Sequence, residues 1–373
     1  MWRVIVGAYM ALALTASCQA QEGLGGNGYA PRDVKIELLG KAREGALLPV
    51  VYVFDEDRNL PTVRAAIGIL QWAELAPPVL LVGVSTDDRF ADFTPTKPAD
   101  GPDTSGGAKN VLGYIDDVLR PYLAENYPVS RFEVLHGHSL SGLFVLFAML
   151  EEPEQFNGVI AIGASAWWDE ESISKRAAES CENTSYRRLF LSLSSEVDSR
   201  NGVESIAASC ARADQSLGAT VLKEYPHEDH VTAVTPATHD GLRFVFDAWN
   251  MEPLIAARDI DGIESRLDFL REVAGGNPYI SVSGFAQLAR GYTREGDPET
   301  AIRILERADK LAPNEIMVLN FLGEAYEEAK RYEDACRTYR RSLAVAIERK
   351  HPMERWIRKR MAGLGSYMTC EAS

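Results

Sequence analysis

The chain has 373 residues, with 39 Lys plus Arg against 54 Asp plus Glu and a formal net charge of −15. That balance excludes the basic surface needed to neutralise nucleic-acid phosphates, and 46% apolar with 25% charged residues excludes wholesale disorder. The length allows two domains, and the five Cys form no C-x-x-C pair, which argues against a zinc ribbon or a thioredoxin-like site.

The chain opens MWRVIVGAYMALALTASCQAQ: Arg3, an apolar stretch from Val4 to Leu14, then small residues. This order reads as a secretory signal over residues 1–20, with Ala20 as its last residue. The chain is thus expected to be periplasmic or secreted, with lipid anchoring at Cys18 as the alternative and no transmembrane helix in the mature chain. Residues 21–30 are Gly-rich and read as a linker. Export favours pairing of the four remaining Cys, and a domain-wise arrangement gives Cys181–Cys210 and Cys336–Cys370. Four buried thiols remain the competing arrangement.

Residues 31–250 alternate between β-rich runs and helical stretches. The strand candidates are 48–55, 78–84, 132–139, 158–165, 189–195 and 219–226, with helices around 65–70 and 142–150. Such alternation predicts an α/β fold, a mostly parallel sheet covered by helices on both faces. From 251 to 373 the β-rich runs stop, and the sequence becomes helical and charged. It also repeats: Leu288, Ala289, Tyr292 and Ala301 align with Leu322, Gly323, Tyr326 and Ala335 at one offset of 34 residues. That period, with small residues where helices touch, is the tetratricopeptide pattern and predicts an all-α repeat domain. Helices at about 252–273 and 352–364 are expected to cap it.

The chemistry centres on Gly137-His138-Ser139-Leu140-Ser141-Gly142, which follows a strand candidate and precedes an apolar helix. A strand–turn–helix context is what a nucleophile elbow requires, with small neighbours so that the backbones can approach. Ser139 is the candidate nucleophile, and the Leu140 amide at the helix start is a candidate oxyanion donor. Ser141 stands where such motifs usually carry Gly. A serine needs a base, and the loop YPHEDHVTAV offers His230, with His227 read as solvated and His239 as the start of the last helix. The acid should follow the preceding strand; Glu196 is the first choice and Asp198 the second. A second oxyanion donor is expected from the backbone at Asp55 or Glu56. Trp167 and Trp168 are candidates for lining a substrate pocket, against a core-packing alternative. Arg89 and Asp92 suit a structural ion pair. His136-x-His138 and the His227 to His230 spacing look ligand-like, but Ser-Leu-Ser-Gly follows the first pair where a metal site would continue, so neither metal nor cofactor is expected.

Taken together, VYVFDED, RFADFTPT, GHSLSGLFVLFAML, IGASAWWD and YPHEDHVTAVTPATHDGLRFVF resemble the esterase branch of the α/β-hydrolase superfamily. That branch includes enterochelin esterases, esterase D-type enzymes and the antigen 85 mycolyltransferases. The resemblance covers about residues 48–250. It implies a serine esterase with Ser139 as nucleophile and His230 as base, and it favours Glu196 as the acid. It also implies a β-hairpin before the first core strand, for which only residues 30–47 are available on this reading. The expected activity is hydrolysis of a small-molecule, glycan or siderophore ester. Acyl transfer by the same residues is the first alternative, and a non-catalytic cell-envelope protein binding a partner through its repeats is the second.

Overall fold

A computed structural model describes residues 19–43, 45–181, 187–211, 218–276 and 278–370. The expected signal segment, with Cys18 in it, lies outside the described residues except for its last two. The chain divides into two compact units, Met1–Asp247 with Val273–Asn277, and Ala248–Glu272 with Pro278–Ser373.

The first unit is built on an 8-stranded sheet in the order β1-β2-β4-β3-β5-β6-β7-β8. The strands are β1 (Gln19–Gly26), β2 (Tyr29–Leu39), β3 (Leu48–Phe54), β4 (Val79–Val84), β5 (Val129–His138), β6 (Gly158–Ile162), β7 (Arg187–Leu193) and β8 (Gly218–Glu224). β1, β2 and β4 pair antiparallel, and the remaining pairs are parallel. β3, β4 and β6 are buried along their whole length, as strands covered on both faces must be.

Two features differ from the sequence expectation. The segment read as a linker forms β1 and the start of β2, so a full hairpin does precede β3. Its Gly and Gln content hides it, because β1 is an edge strand held by backbone pairing, with Gln21 opposite Val34 and Gly26 opposite Tyr29. The helix around 65–70 is also longer than expected, running as α1 (Glu56–Trp72) straight from the end of β3.

Helices cover both faces. α1 packs with α8 (Val234–Val245) on one side. The other side carries α2 (Arg89–Phe93), α3 (Ala108–Tyr114), α4 (Arg120–Asn126), α5 (Leu140–Glu151), α6 (Trp168–Ser180) and α7 (Arg200–Ser209). A π-helical turn, Ile115–Leu119, joins α3 to α4. α5 is buried along nearly its whole length and forms the centre of a core in which Phe54, Phe93 and Phe144 meet edge-on or tilted. A disulfide joins Cys181, after α6, to Cys210, after α7.

The second unit contains α9 (Glu252–Ala256), all but the last two residues of α10 (Ile260–Ala274), α11 (Ser283–Arg294), α12 (Pro298–Leu311), α13 (Ile316–Glu328), α14 (Tyr332–Glu348) and α15 (Glu354–Gly363). Consecutive helices from α11 to α15 pack as neighbours. The repeating small residues lie at the tight contacts. A Cβ on Gly323 would come within 2.4 Å of the Tyr339 ring, which explains why that position holds no side chain. Ser342, where the repeat usually has Ala, is fully buried and donates to Asn320 Oδ1 at 2.7 Å. A second disulfide ties Cys336 of α14 to Cys370. No helix among the described residues is long and apolar enough to cross a membrane.

Candidate active site

Parallel strands present their carboxyl ends along one edge of the sheet, and ligands of such folds bind there. The turn after β5 carries Ser139 at φ 62°, ψ −118°, a conformation an L-residue adopts only when its surroundings impose it. The surroundings are explicit. Ser139 N–H donates to Ile162 O at 3.0 Å, and Ser165 and Leu143 N–H groups both donate to Ser139 O at 3.0 Å. Gly137 is obligatory, because a Cβ there would lie 2.2 Å from Ser141 O. The Ser141 hydroxyl bridges the turn, accepting from His138 N–H and donating to His138 O, each at 2.9 Å. The departure from Gly at this position thus adds a brace to the elbow.

Ser139 Oγ is half-buried and its hydrogen-bond partner is Ser165 Oγ at 3.5 Å, with no hydrogen bond to an imidazole. Leu140 is the first residue of α5, so its N–H belongs to the orphan donors of a helix start. Asp55 forms the one-residue link between β3 and α1, at φ 52°, ψ 53°. Its carboxylate is buried and accepts a fork from Arg89, Nε to Oδ1 and Nη2 to Oδ2, both at 2.8 Å. Glu56 opens α1 and accepts from Lys35 Nζ at 2.8 Å. The expected Arg89–Asp92 pair does not form. Asp92 instead takes both Nη groups of Arg32 from β2, at 2.6 and 2.7 Å, which leaves Arg89 to the buried Asp55.

His230 sits in the loop after β8 and Glu196 in the loop after β7, with Nδ1 and Oε2 2.8 Å apart. The N–H direction misses a straight line to that oxygen, and Nδ1 has no other partner, so the contact is close but poorly aligned. Both side chains are partly open, Glu196 at 44% and His230 at 30%. Asp198 is exposed in the turn before α7 and makes no ion pair among the described residues.

His138 is the neighbour that sequence reasoning missed. Its ring lies 4.4 Å from that of His230, centroid to centroid, and its Nε2 is 2.8 Å from His230 O. A carbonyl only accepts, so Nε2 carries the proton and the ring is the Nε2–H tautomer when neutral. Burial, then the proximity of His230, lowers the His138 pKa to about 4 and holds it neutral. His136 lies deeper, bonded to Thr238 Oγ1 at 2.9 Å, and burial drops its pKa to about 3. His239 falls in the middle of α8 instead of at its start. No group of three or more His, Cys, Asp or Glu suited to a metal ion occurs among the described residues.

The two tryptophans part company. Trp168 is buried, with Nε1 donating to Thr96 Oγ1 at 3.1 Å and its ring against Phe90, so it belongs to the core. Trp167 is 47% exposed.

This sheet order and strained serine turn are those of an α/β-hydrolase. The chain belongs to the family described as Putative esterase, whose model matches residues 29–240, and it continues into tetratricopeptide repeats at 285–315 and 318–353. It is accordingly a hydrolase acting on ester bonds. The siderophore triacetylfusarinine C esterase of Aspergillus fumigatus is 26% identical over 54% of this chain and 82% of its own length. The siderophore enterobactin esterase of Emericella nidulans is 29% identical over 42% of this chain and 65% of its own, just under two thirds. An IroE-like serine hydrolase from Shewanella oneidensis covers 79% of this chain and 100% of its own, with a TM-score of 0.64 at 20% identity, a likeness of fold.

Proposed function

We propose that the chain hydrolyses a carboxylic ester through an acyl-enzyme on Ser139, with His230 as the base and Glu196 as its partner. The observation that carries this reading is the left-handed backbone at Ser139, hydrogen-bonded from β6 and its following loop, on the same sheet edge as the His230–Glu196 contact. Ser139 Oγ attacks the carbonyl carbon while His230 Nε2 takes its proton. The oxyanion is met by N–H groups at Leu140 and at Asp55 or Glu56. The intermediate collapses, the alcohol leaves with the proton from His230, and water repeats the sequence on the acyl-enzyme. Partial exposure of His230 and Glu196 admits that water, which favours hydrolysis over acyl transfer. The likeness to siderophore esterases makes siderophore esters one substrate class to examine.

Hydrolysis of short-chain p-nitrophenyl esters by the wild type and by Ser139→Ala tests the reading. Turnover is expected to fall by about 10⁶-fold in the variant, as when a unit-acting triad loses its nucleophile. Equal rates in two equally folded proteins would remove Ser139 from the mechanism.

Export belongs to the same proposal. The signal-like residues 1–20 support it, and so do two disulfides, which persist in oxidising compartments. The exported chain is expected to begin at Gln21; an uncut chain retained in the cytoplasm would contradict it.

A further inference from the structure

Three loops at the reactive edge each expose an apolar side chain close in sequence to a residue of the mechanism or, for Ser165, a hydrogen-bond partner of Ser139. Trp167 lies two positions after Ser165 and is 47% exposed, Val197 follows Glu196 at 74%, and Val231 follows His230 at 70%. Scattered exposed apolar residues need no explanation. Three on successive loops around one site form a rim that an apolar substrate flank would cover.

The same edge carries one sign of charge. Residues 194–199 include Glu196 and Asp198, residues 225–233 include Glu228 and Asp229, and neither stretch contains Lys or Arg. α6 opens with three consecutive acids, Asp169 to Glu171, and the loop after β4 holds Asp87 and Asp88. The cations adjoining this edge are paired: Arg89 gives Nε and Nη2 to Asp55, Arg32 is held by Asp92, Arg200 by Glu204 and Glu224, and Lys223 by Asp240. Lys97 is 3.6 Å from Asp103, and Lys175 is 3.9 Å from Glu170. Charges of one sign around a cleft repel like-charged ligands on approach and while bound.

We infer that the site selects its ester by charge, taking uncharged or cationic esters with an apolar flank and discriminating against anionic ones. The inference rests on Ser139 and His230 being the reacting pair. Among siderophore esters it favours those without net negative charge.

The test compares three p-nitrophenyl esters of matched chain length on the full chain: pentanoate, hemisuccinate and 4-(trimethylammonio)butyrate. Each kcat/KM is divided by the ester's own hydroxide-catalysed rate. At low salt the anionic ester is expected to be about tenfold poorer than the neutral one, and the cationic ester at least as good as the neutral one. The gap should close near 1 M salt, where screening acts over about 3 Å. Glu228→Lys should favour the anionic ester by about threefold, because Glu228 contributes charge and its bonds to Ser195 and Tyr225 are made by backbone. Ser139-dependent turnover with the anionic ester equal or faster at low salt would overturn the charge inference and leave the hydrolase standing. Failure of all three esters, with no labelling of Ser139 by a fluorophosphonate, would overturn the hydrolase reading itself.

Discussion

Both units contain non-glycine residues at positive φ, and two of those in the esterase unit stand apart from the rest. In the repeat unit they are Arg258, Asn314, Lys330 and Lys350, all exposed, in the links between helices. A left-handed residue beyond a helix end satisfies terminal carbonyls, and glycine does this with less strain. In the esterase unit a positive φ falls on Asn27, Glu74 and Asp169 to Glu171 at turns and helix ends, and also on Asp55 and Ser139, at the ends of β3 and β5. Asp55 is clamped by Arg89, and Ser139 is pinned by Ile162, Ser165 and Leu143. A positive φ thus punctuates turns and helix ends in both units. At Asp55 and Ser139 it ends a strand at the reactive edge, and the Arg89 side chain and the Ile162 and Ser165 backbone, all distant in sequence, hold it in place.

The largest effect expected on this contrast, after Ser139→Ala, is from Gly137→Ala. Its Cβ would meet Ser141 O at 2.2 Å, so the elbow must open. A stability loss of about 3 kcal/mol in urea unfolding is expected, with turnover abolished; near-normal turnover would show that the elbow is not the reacting turn. Arg89→Met comes next. It leaves the buried Asp55 carboxylate unpaired, a class of change that costs about 3 kcal/mol. Its kcat should fall with KM little changed, because the backbone at Asp55 or Glu56 is proposed to meet the oxyanion; a KM effect alone would place Arg89 in ground-state binding.

His138→Phe keeps a ring against His230 but loses the Nε2–H that reaches its carbonyl. A fall in kcat of about tenfold to a hundredfold is expected, with partial recovery in His138→Gln, which restores a donor. The folded-state pKa of His138, about 4, lies below its unfolded value. Its stability contribution is therefore full above about pH 6.5 and is lost as pH falls towards 4. The variant should show a shallower loss of stability across that window. The smallest effect is reserved for the repeat unit, where Lys330→Gly should raise stability by a few tenths to about 1 kcal/mol. A large loss there would mean that this left-handed residue, too, is held for a purpose.

The strained serine turn was legible because its signals are local: a β-rich run, small residues around a serine, and an apolar helix within about twenty positions. The repeats were legible because their small residues recur at one period and sit where helices touch, as at Gly323 and Ala335. What stayed hidden depends on partners far along the chain. Ser165 meets Ser139 across 26 positions, and His138 meets His230 across 92. Arg89 turns to Asp55 only because β2 brings Arg32 to Asp92. Trp167 and Trp168 look alike in sequence, yet the helix start at Trp168 turns one into the core and leaves the other at the rim. β1 escaped notice because edge pairing uses backbone and asks little of side chains.

Peptide mapping after reaction with a fluorophosphonate tests the central claim most directly. One adduct, on Ser139, lost in His230→Ala, is the predicted result. A folded protein that takes no adduct, or takes it on another serine, would contradict the account.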